Sequence, residues 1–225
     1  MKELKVIARI RTGFPEKFGI PRQAGLAPLA GGVIVFEPEY RSEEALRGIL
    51  GYSHLWLIWE FSRAKGETWR PTVRPPRLGG NRRMGVFATR SPYRPNPIGL
   101  SSVRLLGMRK TDEGTVLDVA GVDLLDGTPI YDIKPYLAYT DSHPDAVGGF
   151  ADGVMDYSLS VEFPEKLLSR VPEAARETVV SLLEGDPRPQ YQNDPERIYG
   201  MIYGELEVHF RVEDGTLYVV DVNKR

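Results

Sequence analysis

At 225 residues, 41% of them hydrophobic, the chain can bury a substantial core, as one large domain or as one large and one small. It has no cysteine, and its three histidines, His54, His143 and His209, show no metal-ligand spacing, so disulfide, thiolate and metal chemistry are not expected. A net charge of −2 argues against indiscriminate nucleic-acid binding while allowing a local basic patch, and a mixed N-terminus without any apolar run of membrane-spanning length points to the cytoplasm.

In chain order, residues 3–10 alternate like a half-buried strand and residues 12–19 read as a loop. Pro21, Arg22 and Gln23 follow, a small polar cluster between a rigid proline and a permissive Gly25, where backbone and side chain can both meet a ligand. Residues 33–37 read as a strand, residues 42–51 as a helix with Ser42 as N-cap and Gly51 at its end, and residues 54–61 as a continuous apolar and aromatic strand.

Residues 63–100 are unlike a core segment. They carry nine Lys or Arg against one acid, Glu67, with six prolines and five glycines. Prolines fix φ and remove donors, so Pro71, Pro75 and Pro76 hold an extended path, and Gly79, Gly80 and Asn81 supply a sharp turn. Residues 84–88 read as a short buried strand between two such stiff runs. Arg74, Arg77, Arg82, Arg83, Arg90 and Arg94 are thereby displayed at fixed angles, and guanidinium forks on stiff backbone suit carboxylate or phosphate. A solvated basic loop would not need this alternation of proline and arginine, whereas a pre-organised anion site gains from it.

Residues 101–109 and 115–120 then form a strand pair turning at 111–114. A tight turn at 126–129 and a short strand at 131–133 follow, in a segment where Asp123, Asp126, Asp132 and Lys134 sit among apolar residues and need partners if buried. Many short strands with long loops and almost no helix indicate a mainly β protein, with a small β-barrel as N-terminal domain. Residues 143–156 are a Gly- and Asp-rich connector. Beyond it the period becomes helical over 164–171 and 172–184, each run beginning with Pro at a first helical position, and a hairpin closes the chain over 204–222. Two domains are expected, 1–156 and a smaller α+β domain 157–225, and the charge divides with them: 21 basic and 18 acidic residues in 1–159 against 8 and 13 in 160–225. The loops of the acidic part nevertheless carry Arg188 and Arg197. No dinucleotide fingerprint, P-loop, zincin motif or nucleophile elbow is present.

Pro21-Arg22-Gln23, the run VRPPRLGGNRRMGVFATRSPYRPNPIGLS at 73–101, DLLDGTPIYDIKPYL at 123–137 and DPRPQYQ at 186–192 together resemble the TrmO (YaeB-like) family. The resemblance covers most of the chain with long motifs of unusual composition. It implies a small-barrel tRNA methyltransferase that uses S-adenosyl-L-methionine, acts at N6 of N6-threonylcarbamoyladenosine beside the anticodon, and works as a homodimer with the cofactor near the subunit interface. Closed two-fold pairing is also the commonest way to complete a pocket left open by long loops. By similarity, Pro21, Arg22, Gln23, Ser62, Arg63, Arg90, Leu100 and the turn Asp126, Gly127, Thr128, Pro129 and Ile130 surround the cofactor. Methyl transfer from a sulfonium needs positioning rather than metal or covalent catalysis, in keeping with a chain lacking cysteine. The acceptor nitrogen must lose a proton, for which Tyr136, Asp132 or the substrate's own carboxylate are candidates. Arg74, Arg77, Arg82, Arg83, Arg94 and Arg188 are expected to meet tRNA phosphates. The residues by themselves also allow a non-catalytic RNA-binding barrel or a barrel that binds S-adenosylmethionine or a similar molecule as a regulator.

Overall fold

The computed structural model describes residues 3–63, 69–75, 82–154, 157–188 and 194–225. In chain order, β1 (Ala8–Thr12), β2 (Gly31–Phe36) and β3 (His54–Glu60) are followed by a two-stranded arm of β4 (Thr72–Val73) and β5 (Met84–Gly85), and then by β6 (Ile98–Thr111), β7 (Gly114–Ala120) and β8 (Thr128–Pro135). Apart from the arm, these strands pair in a closed antiparallel ring, β1-β2-β7-β6-β3-β8 and back to β1. Closure leaves no free edge to pair with other chains.

Side-chain alternation fills the ring. In β3, Leu55, Leu57 and Trp59 are buried while His54, Trp56, Ile58 and Glu60 are only partly so, the pattern that period-2 geometry requires. Ile10, Ile34, Val103, Leu117 and Ile130 meet them inside. One irregularity matters: β8 is bulged where it faces β3, because Trp59 pairs with Ile130 and Ile58 with Asp132, leaving Tyr131 without a partner of its own. The bulge keeps Ile133 inside and Asp132 and Lys134 outside.

The C-terminal unit contains a sheet ordered β10 (Tyr199–Tyr203), β11 (Leu206–Glu213), β12 (Thr216–Lys224) and β9 (Ser160–Glu162), the last parallel to β12. Among the described residues, α2 (Glu165–Leu168) and α3 (Glu173–Glu184) accompany these strands, α3 burying Val179, Leu182 and Leu183, while the short α1 (Ala138–Asp141) lies earlier in the chain, after β8. One apolar cluster runs through both units. Phe14 after β1 packs on Tyr203 of β10 at 5.3 Å, and the Gly204 N–H donates to the Gly13 carbonyl at 2.8 Å. Gly13 permits this approach, since a Cβ there would lie 2.5 Å from the Tyr203 ring.

Several local expectations change. Residues 42–51 form two 3₁₀ turns, Glu43–Leu46 and Ile49–Gly51, because Gly48 at φ 88° interrupts the helix and Ser42 makes no capping bond. Residues 84–88 are not a buried strand: after β5 the chain makes a 3₁₀ turn at Val86–Ala88, burying Val86 and leaving Phe87 72% exposed. Strand β1 begins later than expected, and Pro164 and Pro172 precede their helices instead of opening them. β10 lies between the polar loops and the hairpin expected from the sequence, in a stretch to which no element was assigned. The turn at Gly79, Gly80 and Asn81, Arg77, Met155 and Asp156, and the residues from Pro189 to Asn193 are outside the described residues. Among the described residues no helix is long and apolar enough to cross a membrane.

Candidate functional site

At one rim of the ring, the end of β3 meets the starts of β6 and β8, with Trp59 opposite Gly99 and Ile58 opposite Leu100. The loops after β1, β3 and β7 and the segment before β6 border a cavity of about 500 Å³. Ile20, Trp59, Leu100 and Leu125 give it an apolar wall, and Arg22, Arg90, Glu60 and Asp123 bring charge to it. Trp59 occupies its place because Gly99 has no side chain; a Cβ there would lie 2.3 Å from the indole.

The polar groups are held in two chains of hydrogen bonds. On one wall the Trp59 indole N–H donates to Ser101 Oγ at 2.9 Å, and the Ser101 hydroxyl donates to Asp123 Oδ1 at 2.6 Å. An indole nitrogen can only donate, so Ser101 must accept there and has its single proton left for Asp123. Burial pushes the Asp123 carboxyl above the ordinary aspartate value, against the pull of Ser101, backbone N–H groups and the Arg90 charge. On the other wall Arg90 donates to Gln23 Oε1, the Gln23 amide donates to the Arg22 carbonyl, and Arg22 Nη2 donates to the carbonyls of Asp186 and Arg188, each at 3.1 Å. At the edge, the Tyr131 hydroxyl donates to Glu60 Oε2 at 2.8 Å, and burial together with that carboxylate pushes the phenol up to about 12.

Guanidinium groups on one side and a shielded carboxyl on the other suit a ligand carrying both an anionic group and a cationic or hydroxyl group, with a flat or apolar body between. The site favours binding and orientation over covalent attack.

Of the residues anticipated around a cofactor, Pro21, Arg22, Gln23, Ser62, Arg63, Arg90, Leu100 and Thr128 line the cavity. Asp126, Gly127, Pro129 and Ile130 do not. Asp126 instead accepts the Thr12 N–H at 2.9 Å, Gly127 at φ 74° donates to Ile10, Pro129 pairs with Arg9 and Ile130 is core, so this turn ties β8 to β1 beneath the site. Asp132 and Tyr136 are also absent from the cavity of their own chain. Asp132 bonds Lys134 at 2.9 Å on the outer face, and Tyr136 packs on Trp56 and His54 at 5.4 and 6.2 Å.

The arginines divide as well. Arg74, Arg82 and Arg83 are exposed on or beside the arm. Arg94 lines the cavity and donates to the carbonyls of Val86, Thr89 and Ser91, so it braces its loop. Arg188 is 7% exposed and forks onto Asp186, which removes it from any encounter with phosphate. Sequence reading missed Trp59, Glu60 and Ser101 as site residues and noted Asp123 only as a costly burial. The signal for Asp123 was its place in the apolar run 122–125.

Residues 9–142 match the family described as tRNA-methyltransferase O N-terminal domain, and residues 156–225 match the TrmO C-terminal domain. The chain is 40% identical to the tRNA (adenine(37)-N6)-methyltransferase of Escherichia coli, over 99% of this chain and 98% of that protein. It is 46% identical, over 91% of this chain and 90% of the relative, to a Pseudomonas aeruginosa protein whose name assigns it to the S-adenosylmethionine-dependent methyltransferases. The crystal structure of TrmO from Pseudomonas aeruginosa superposes with a TM-score of 0.79 at 36% identity, covering 99% of both chains. With both family domains matched in order, and relatives aligned nearly end to end, the chain belongs to the TrmO family.

Proposed function

We propose that this protein is an S-adenosylmethionine-dependent tRNA methyltransferase that methylates N6 of the adenosine at position 37, with N6-threonylcarbamoyladenosine as the acceptor. The observation that carries the reading is the cavity bordered by Arg22, Gln23, Arg90, Leu100 and Asp123, in a chain of this family. Its chemistry fits the cofactor: Arg22 and Arg90 suit the amino-acid carboxylate, and the faces of Trp59 and Leu100 the adenine. When bound, the cofactor supplies a methyl group on a positively charged sulfur.

The protein's own work is then positional. The hydrogen-bond chains fix the side chains before binding, so little order remains to be imposed when ligands arrive. Among the described residues, the carboxylates on the cavity are Glu60 and Asp123. Asp123, with its raised pKa, is a stronger base than an ordinary aspartate and is our choice as acceptor of the proton from the attacking nitrogen. Exposed Arg74, Arg82 and Arg83, with Trp69 and Phe87 beside them at 50% and 72% exposure, provide charge for phosphates and flat faces for unpaired bases.

The closed ring is read as the small barrel of residues 1–156, with 157–225 as the second domain, in a homodimer acting in the cytoplasm. The test is transfer of labelled methyl from S-adenosylmethionine to tRNA with and without the threonylcarbamoyl group on adenosine 37. Transfer only to the carbamoylated tRNA is expected. Equal transfer to both would retract the acceptor, and none to either the whole reading.

A further inference from the structure

Arg22 belongs to the loop after β1, but its Nη2 donates to two carbonyls far along the chain, those of Asp186 and Arg188, at 3.1 Å each. Carbonyls orient a guanidinium only as well as their own turn is fixed. This turn is fixed from several sides. Asp186 is fully buried at φ 48°, a left-handed conformation that a residue other than glycine adopts only at a cost. Its carboxylate takes both prongs of the Arg188 guanidinium, Nε at 2.9 Å and Nη2 at 3.0 Å, the Arg188 backbone N–H at 3.2 Å and the Tyr157 hydroxyl at 2.8 Å. Burial alone would raise that carboxyl, yet the bonds from Arg188 and Tyr157 hold it below the ordinary aspartate value, so it is ionised at neutral pH. Apolar residues of similar volume commonly give equal or better stability than a buried ion pair, so stability alone does not account for this one.

We infer that the buried Asp186–Arg188 pair is a positioning element for the cavity: it fixes the turn whose two carbonyls orient Arg22 at the cavity wall, and so makes the C-terminal unit part of the ligand site. Arg188 touches no ligand under this assignment and acts through Arg22. Loss of the pair would free the turn, let the Arg22 guanidinium leave its direction, and weaken binding of a carboxylate-bearing ligand without altering any group that reacts. The ligand half of the inference rests on the function proposed above.

The experiment is a double-mutant cycle on full-length protein with S-adenosylhomocysteine as probe, read by titration calorimetry, each variant first checked for cooperative thermal unfolding. Arg22→Ala and Asp186→Asn should each weaken binding by about 10-fold, the effect of losing one well-placed charge-assisted hydrogen bond, and the double variant should bind no more weakly than Arg22→Ala alone. Additive losses, or wild-type affinity in a folded Asp186→Asn, overturn the inference. If Asp186→Asn does not fold, Tyr157→Phe, which removes one bond to the same carboxylate, takes its place in the cycle with a smaller expected loss.

Steady-state kinetics separates positioning from mere support. Positioning raises KM for the cofactor with kcat nearly kept, whereas a smaller folded fraction lowers kcat at constant KM and counts against it. Labelling of Arg22 by phenylglyoxal, followed by mass spectrometry without any ligand, should be faster in Asp186→Asn than in wild type. An unchanged rate overturns the clamp itself. Wild-type protein that fails to bind the probe overturns the functional reading instead.

Discussion

The cavity wall and the arm beside it both present arginines, but they treat them differently. Arg22 and Arg90 line the cavity and are tied to carbonyl or amide acceptors, although Arg90 is itself exposed, while Arg82 and Arg83 stand exposed beside β5, away from the cavity lining. A guanidinium fixed by protein acceptors can recognise one small anion at one angle. A set of exposed ones suits the repeated, loosely specified charges of a nucleic-acid backbone. On the function proposed above, the arginines divide into two surfaces, one at the cavity and one on the arm, and each can be broken alone.

The largest effect should come from Arg90→Ala, which removes one charge-assisted contact and releases Gln23; affinity for S-adenosylhomocysteine in the absence of tRNA should fall about 10- to 100-fold by calorimetry. Next, Arg82→Ala with Arg83→Ala should leave that affinity unchanged but weaken tRNA binding, and the slope of log affinity against log salt should become shallower by about 1.5 to 2, near one unit for each lost phosphate contact. Equal loss of cofactor affinity in the two variants would erase the division.

A third, smaller effect probes the wall through pH. The Asp123 carboxyl is raised in the folded protein by burial, so its contribution to stability is fully present below the ordinary aspartate value and is lost as pH rises through the raised one. Asp123→Asn removes that loss. Thermal unfolding without ligand should show the variant gaining on wild type from about pH 4 toward neutrality and no gain in stronger acid. A gain independent of pH would deny the raised carboxyl. The same variant should lose methyl transfer if Asp123 takes the proton.

The smallest effect is expected where sequence reasoning placed catalysis. Tyr136→Phe keeps the ring against Trp56 and His54 and should change kcat less than about 2-fold, since no transition-state contact is lost. A loss of 100-fold would instead bring the outer face of β8 into the reaction through a second copy of the chain.

What could be read in advance follows from how locally each property is determined. The strands of the ring were legible because alternation is written into the chain, as Leu55, Leu57 and Trp59 show. Arg22, Gln23 and Arg90 were legible because Pro21 and Pro92 near them limit the backbone and because they fall in motifs that resemble the family's. The motif 123–137 was recognised, but its division was not: Asp123, in the loop after β7, is held at the cavity by Ser101 of β6, while the outward placing of Asp132 depends on pairing with β3 and on the bulge, and both are long-range facts. Arg188 misled for the same reason. A polar loop in sequence reads as exposed, and only the fold reveals that buried Asp186, which also accepts from Tyr157, takes it inside.

Tyr131 has a meaning beyond its bond to Glu60. Since two residues of β8 oppose the single Ile58, the ring holds one more residue than its ladder requires. A chain lacking Tyr131 could keep Ile130 opposite Trp59 and Asp132 opposite Ile58, with every later side chain on its present face. Elsewhere in a strand, losing one residue turns the sequence beyond it inside out. The bulge is therefore a slack point, where length can vary at the lip of the cavity while the core stays in register.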